Sequence, residues 1–264
     1  MSLVKIWPPA EAVTGPAGIA GATAPADPAV GDVAACYPRG DGPVLRMNFI
    51  ASLDGAVSVD GVSGGLAGPG DKRIFDTLRM VCDALVVAAG TVRAEQYDAL
   101  RPDPECRAWR RDHGLSEFPL MVVVSGSLDL DPAQAIFADA PVRPVILTHR
   151  HGGDRGPSSR RTALEKVAEV VTVGDESVDL AAAVRLLRER GATQVLCEGG
   201  PRLFGALLVA DLVDELCLTV SPLLAGGSAG RIASGPSGVA RRMALRHVLA
   251  EEDMLFLRYA RRLP

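Results

Sequence analysis

Asp83-Ala84-Leu85-Val86-Val87-Ala88-Ala89-Gly90-Thr91-Val92-Arg93-Ala94-Glu95 is the stretch that decides the fold. Ala84 to Ala89 is a short run with no polar residue, so neither face can meet water and the run predicts a strand buried on both sides. Gly90-Thr91 ends it and a helical stretch follows. The same unit recurs along the chain. Val44 to Ala51 predicts a strand, followed by a glycine-rich loop from Asp54-Gly55 to Pro69-Gly70. Asp71 to Val81 has Ile74, Phe75, Leu78 and Val81 at helical spacing, with Asp71 as its N-cap. Leu120 to Ser125 and Val142 to Thr148 are further apolar runs. Thr162 to Ala168 is helical, Val170 to Val173 extended, and Leu180 to Arg190 helical and closed by Gly191. Gln194 to Glu198 is a strand and Pro201 to Ala210 a helix. Apolar strands alternating with helices predict an α/β fold on a largely parallel sheet.

The tail differs. Leu216 to Val220 is extended, and Leu245 to Leu249 and Met254 to Tyr259 flank the turn Ala250-Glu251-Glu252-Asp253 as an antiparallel hairpin. The apolar segment Val213 to Leu224 predicts a sheet edge, which a homodimer would cover. Residues 1–43 are rich in Ala, Pro and Gly and predict an irregular N-terminal arm, leaving residues 44–264 as one domain. Arg101 to Glu117 is polar and charged and predicts an exposed loop.

Composition excludes several classes. The 264 residues are 48% hydrophobic, too apolar for a disordered chain. A net charge of −4 and 4% aromatics argue against nucleic-acid binding. No run is apolar enough to span a membrane, and Pro8-Pro9 interrupt any signal-peptide core, so a cytoplasmic protein is expected. Cys36, Cys82, Cys106, Cys197 and Cys217 are scattered, as are His113, His149, His151 and His247, so no metal site is predicted.

In parallel sheets ligands sit at the carboxyl ends of the strands. There, Glu198-Gly199-Gly200-Pro201 joins a strand to a helix. Two glycines let backbone approach a ligand, Pro201 fits the first helical turn, and the free N–H groups suit a pyrophosphate. Gly90-Thr91-Val92-Arg93 is a second such junction, with Thr91 able to cap and Arg93 suited to a 2′-phosphate. Ser125 and Thr148 end strands with hydroxyls that can reach ribose or phosphate. Asp54 is a candidate proton donor if a partly closed pocket raises its pKa; its alternative role is an Asx turn before Gly55. Glu198 is a second candidate acid or a substrate anchor, or else it holds the Gly199-Gly200 turn. No nucleophile motif is present, so cofactor chemistry fits better than covalent hydrolysis.

Asn48-Phe49-Ile50-Ala51-Ser52-Leu53-Asp54-Gly55, Asp83 to Glu95, Leu196-Cys197-Glu198-Gly199-Gly200-Pro201 and Leu212-Val213-Asp214-Glu215-Leu216 together resemble the RibD C-terminal reductase family. The resemblance spans about Val44 to Tyr259. It implies a dihydrofolate-reductase-like, three-layer α/β/α fold and NADPH-dependent reduction in riboflavin biosynthesis, of 5-amino-6-(5-phosphoribosylamino)uracil, with a homodimer as the assembly. Carried over, Ala51, Thr91, Glu95, Ser125 and Gly200 to Ala206, including Pro201, Arg202 and Leu203, match cofactor-contacting positions. Ser63, Arg79 and Glu198 match substrate-contacting positions, Asn48 and Asp54 are further substrate-binding candidates, and Asp54 and Gly55 lie in the family's strand-end turn beside the nicotinamide. The chain departs from the family in two places. It lacks the zinc-deaminase motifs, and Ala94-Glu95-Gln96-Tyr97-Asp98-Ala99-Leu100-Arg101 replaces a segment of the form A-D-D-P-x-L-T-x-R that holds the phosphorylated sugar. The second departure resembles the stand-alone, pyrimidine-reductase-like branch. It leaves two other readings open: dihydrofolate-type reduction of a pteridine, and a non-catalytic nucleotide-binding protein.

Overall fold

A computed structural model describes residues 3–7, 30–152, 159–236 and 238–262. In chain order its elements are β1 (Val4–Trp7), α1 (Val30–Cys36), β2 (Val44–Ser52), α2 (Pro69–Val81), β3 (Ala84–Ala88), α3 (Ala89–Ala94), α4 (Pro104–Asp112), β4 (Leu120–Val124) and α5 (Ala135–Ala138). Then follow β5 (Val145–Thr148), α6 (Ser159–Leu164), β6 (Glu169–Thr172), α7 (Leu180–Glu189), β7 (Gln194–Cys197), α8 (Pro201–Val209), β8 (Glu215–Ser221), β9 (Met243–Glu251) and β10 (Met254–Arg261). One sheet runs in the order β1-β9-β10-β8-β2-β7-β3-β4-β5-β6. Strands β2 to β8 pair in parallel, while β10 is antiparallel to β8 and β9, and β1 is antiparallel to β9.

The two-sided character of β3 sets the layers. Leu85 and Val87 join Met121, Val123 and Ile146 on one face, packed on Ile74 and Leu78 of α2. Ala84 and Val86 join Val122, Val145 and Leu147 on the other, packed on Ala183 and Leu187 of α7 and Leu203 and Leu207 of α8. The α/β architecture, parallel sheet and terminal hairpin are as the sequence predicts.

Four local expectations change. The arm of residues 1–43 is not wholly irregular: β1 joins the sheet on β9, and Val33 and Tyr37 of the α1 region are core residues. Residues 8–29 of that arm lie outside the described residues. Helix α2 begins at Pro69, with Gly68 at its N-cap, so Asp71 sits in the first turn rather than capping it.

Arg101 to Glu117 contains α4 rather than only loop. Asp103 caps it by accepting from the Cys106 amide at 2.7 Å. Its buried Arg110 donates from Nη1 to the carbonyls of Met80 and Cys82, both at 2.6 Å, and so satisfies the end of α2. Finally, β8 is bonded on both sides, by β2 and β10, so Val213 to Leu224 contains an inner strand and not an edge.

His247 of β9 is buried edge-on against Tyr37, and its Nε2 has no hydrogen-bond partner. Burial, and then the charges of Arg258 and Lys5, lower its pKa to about 4. The unfolded chain binds that proton near 6.5, so the stabilising difference is present above pH 6.5 and lost as pH falls toward 4. Urea titrations across this window are expected to show a loss of roughly 3 kcal/mol from this residue. His247→Phe should flatten that part of the profile; an unchanged slope in the variant would refute the assignment.

Candidate active site

The carboxyl ends of β2, β3, β4 and β7 open on one cleft of about 1080 Å³, walled on one side by α2. That is the upper range of small-molecule sites, with room for a cofactor and a substrate together. Parallel pairing puts these four ends in line, which is why residues far apart in sequence meet there.

At the β7 end, Gly200 is the N-cap of α8 and no side chain caps the helix, so its first-turn amides are left for a ligand. A Cβ on Gly200 would lie 2.6 Å from Thr91 Oγ1, so glycine is what lets α8 start this close to α3 at this junction. Gly199 has φ +85°, and a Cβ there would strike the Phe49 ring. Pro201, Arg202 and Leu203 line the same wall. Arg202 and Arg231 are exposed on the cleft and have no carboxylate partner among the described residues.

At the β3 end, Gly90, Thr91, Arg93 and Glu95 line the cleft. Thr91 lies inside the first turn of α3 and does not cap it. Arg93 Nη1 donates to the Asp129 carbonyl at 2.6 Å, so its charge sits on the rim. Glu95 Oε1 accepts from the Ser63 amide at 2.9 Å and fixes Ser63 across the opening. Ser125, at the β4 end, accepts from the Leu128 amide and holds the turn beneath the cleft.

Opposite α8, the spacing of α2 brings Asp71, Phe75 and Arg79 to the cleft, four residues apart on one helix face. Phe75 therefore faces the site, while Ile74, Leu78 and Val81 face the core. Arg79 Nε and Nη2 donate to Glu198 Oε1 and Oε2 at 2.8 and 2.7 Å, a bidentate pair in which the carboxylate is almost wholly buried. Tyr97 Oη donates to Glu198 Oε2, and the guanidinium lies over the Phe75 ring at 3.9 Å. Burial pulls the Arg79 pKa down, but Glu198 outweighs it and the net shift is upward. Burial and then Glu198 push the Tyr97 pKa well up, which keeps the phenol neutral. The cluster is thus a fixed charge pair with one neutral donor. Asn48 lines the cleft between it and the β2 end.

Five sequence candidates do not line the cleft. Val92 is fully buried in the core, and Ala51 is buried in β2. Gly199 lies behind Gly200 against Phe49. Thr148 is fully buried, its Oγ1 facing Gly152.

Asp54 is exposed in the loop after β2. It accepts from Ser52 Oγ and from the Gly226 and Ala225 amides at 2.7 and 3.1 Å. Those bonds, the Ser52 hydroxyl first, lower its pKa to about 2. The expected raised pKa is therefore corrected: a carboxylate already ionised at neutral pH has no proton to give. Asp54→Asn is expected to keep kcat within about twofold of wild type, whereas a loss of about 100-fold would restore its proton role.

Sequence reading missed Asp71, Phe75 and Tyr97. The 71-75-79 spacing was a legible signal for the first two. Tyr97 stands where the family's sugar-phosphate segment departs, and nothing local foretells its partner 101 residues away. Arg101 of that segment turns outward, with Nε and Nη2 donating to the Asp139 carbonyl at 2.9 and 2.5 Å.

A sequence profile of the RibD C-terminal domain matches residues 43–255. A 2,5-diamino-6-ribosylamino-4(3H)-pyrimidinone 5′-phosphate reductase of Archaeoglobus fulgidus is 32% identical over 70% of this chain and 83% of its own. The reductase of the same name from Methanothermobacter thermautotrophicus is 28% identical over 75% and 86%. The crystal structure of a pyrimidine reductase-like protein from Corynebacterium diphtheriae superposes with a TM-score of 0.76 at 25% identity, covering 84% of this chain and 93% of that one. The four short motifs, the profile and the shape agree, and the chain belongs to the RibD C-terminal domain family, as an oxidoreductase of the pyrimidine-reductase type.

Proposed function

We propose that this protein reduces a 6-ribosylaminopyrimidine 5′-phosphate with NADPH, the hydride passing to the sugar carbon attached to the pyrimidine's amino group. The observation that supports this most is one cleft with two chemically distinct ends. One end has the uncapped α8 N-terminus, the Gly200 approach and the rim cations Arg93, Arg202 and Arg231. The other has the Arg79–Glu198–Tyr97 cluster with Asp71, Phe75 and Asn48. The first suits a phosphorylated cofactor. The second suits a polar heterocycle and its sugar.

The residues present fit a nicotinamide dinucleotide. The backbone of Gly200 to Leu203 and the hydroxyl of Thr91 would hold its pyrophosphate, with Arg202 and Arg231 adding charge. When bound, the cofactor supplies the hydride. The chain's own contribution is positional. Glu198 orients the Arg79 fork and accepts the Tyr97 hydroxyl hydrogen, so the remaining guanidinium N–H groups and the acceptor lone pair of the Tyr97 oxygen are held fixed for a sugar. The aromatic ring of Phe75 covers Arg79 and limits water around it.

The homologous reductases are named for a ribosylaminopyrimidinone 5′-phosphate, and a further relative from Escherichia coli is named a riboflavin biosynthesis protein; this reading adopts that substrate class. It extends to a cytoplasmic homodimer. Cys82, Cys106, Cys197 and Cys217 are buried thiols, as in reducing compartments, and exposed Leu53, Leu223 and Leu224 form an apolar rim that a second copy would cover. A fluorescence titration tests the cofactor reading. Saturable NADPH binding, weakened by added salt, is expected; no binding would remove the proposal.

A further inference from the structure

Four carboxylates line the cleft: Asp71, Glu95, Asp98 and Glu198. Three of them have an evident assignment or are open to water. Glu198 is matched by Arg79, Glu95 is committed to the Ser63 amide, and Asp98 stands in the exposed loop after Tyr97. Asp71 is different. It is half-buried, and no Lys, Arg or His pairs with it among the described residues. Its one hydrogen bond comes from Thr219 Oγ1 of β8, which donates to Oδ1 at 2.7 Å. Burial raises its pKa, the Thr219 bond opposes this, and the Glu198 charge adds to the rise. A carboxylate kept out of water without a cation is costly unless something in the site meets it.

The geometry indicates what that is. Thr219 engages Oδ1 alone and Asp71 lines the cleft, so Oδ2 has no hydrogen-bond partner among the described residues and Oδ1 keeps a second lone pair. It stands on the α2 face that also presents Phe75 and Arg79. A carboxylate with both oxygens available best matches two adjacent N–H donors on one planar edge. A pyrimidinone with a 2-amino group has such an edge, formed by its ring N3–H and the exocyclic amine. If the 2-amino group is replaced by a carbonyl, an oxygen faces the carboxylate and the match is lost.

Building on the reductase reading above, we infer that Asp71 is the specificity residue for the heterocycle, binding the N3–H and 2-amino edge and selecting a 2-amino-4-oxopyrimidine over the corresponding 2,4-dioxopyrimidine.

The test is steady-state NADPH oxidation by the full chain on the two ribosylaminopyrimidine phosphates that differ only at C2. Wild type is expected to favour the 2-amino substrate in kcat/KM by about 100-fold, since an unmatched buried polar group discriminates strongly. In Asp71→Asn, the amide NH₂ can donate to a 2-carbonyl, and the preference should collapse to within about tenfold or reverse, mainly through KM. Asp71→Ser, which is smaller and still leaves Thr219 a partner, should lose the preference as well; it serves if the asparagine variant does not fold. Equal use of both substrates by wild type, or an unchanged ratio in a folded variant, would overturn the role of Asp71 and leave the reductase reading intact. Turnover of neither substrate would overturn both.

Discussion

Glu198→Gln is expected to give the largest combined loss of any single substitution. Glutamine has nearly the same shape, so packing is kept, but it removes the charge that matches the Arg79 guanidinium and turns one of the two acceptor oxygens into an NH₂ donor, so Arg79 and Tyr97 cannot keep all three of their bonds. Breaking one side of a buried ion pair costs about 3–5 kcal/mol. Arg79 retains some contact with water in the cleft, so the lower end, about 3 kcal/mol, is the expected loss of stability. Activity should fall further than stability accounts for, by about 10³-fold in kcat/KM, because two positioned groups lose their anchor together. Arg79→Met combined with Glu198→Gln separates the two effects. The pair removed together should regain much of the stability and none of the activity. Recovery of both would mean that the cluster is only a fold element.

Gly200→Ala acts on the other end of the cleft. The φ and ψ of Gly200, −77° and −167°, lie in a region that alanine also occupies. The methyl group would lie 2.6 Å from Thr91 Oγ1. Thr91 can turn away at modest cost, and the melting temperature should change little. The methyl group would, however, occupy the space between the first turns of α3 and α8, and a misplacement of about 1 Å at a binding junction costs about 100-fold. NADPH affinity should fall by that factor with the fold intact. Gly199→Ala gives the contrasting outcome. At φ +85° and against the Phe49 ring it should destabilise the protein outright. If Gly200→Ala leaves NADPH affinity unchanged, the phosphate does not lie at this junction.

These predictions draw on features of unequal legibility. The sheet was readable because β3, β4, β5 and β7 are buried on both faces and leave continuous apolar runs, a signal that needs no partner to interpret. The junctions were readable for a similar reason, since glycine and proline mark a strand-to-helix turn by their own backbone limits. Long-range pairing was not readable. Nothing in Leu216 to Val220 says that β2 will lie on one side and β10 on the other, so an inner strand looked like an edge.

Helix α4 was hidden by its chemistry. Its most buried side chain is Arg110, which is satisfied by carbonyls of another segment and looks like a surface residue in sequence. Asp54 was expected in a partly closed pocket and Asp71 only as a helix cap, and only the fold shows that the first is exposed and bonded to amides while the second is half-buried and bonded to Thr219 of β8. A pKa depends on that enclosure, which no local motif records.

The central claim is that the two ends of this cleft join a reduced nicotinamide to a ribosylaminopyrimidine. The most direct measurement is the loss of reduced-nicotinamide absorbance when the 2-amino ribosylaminopyrimidine 5′-phosphate is added to the protein with NADPH. The account predicts oxidation that requires the substrate, forms one ribityl product for each NADPH consumed, and falls by about 10³-fold in kcat/KM in Glu198→Gln. NADPH that binds but is not oxidised when the substrate is added would contradict it.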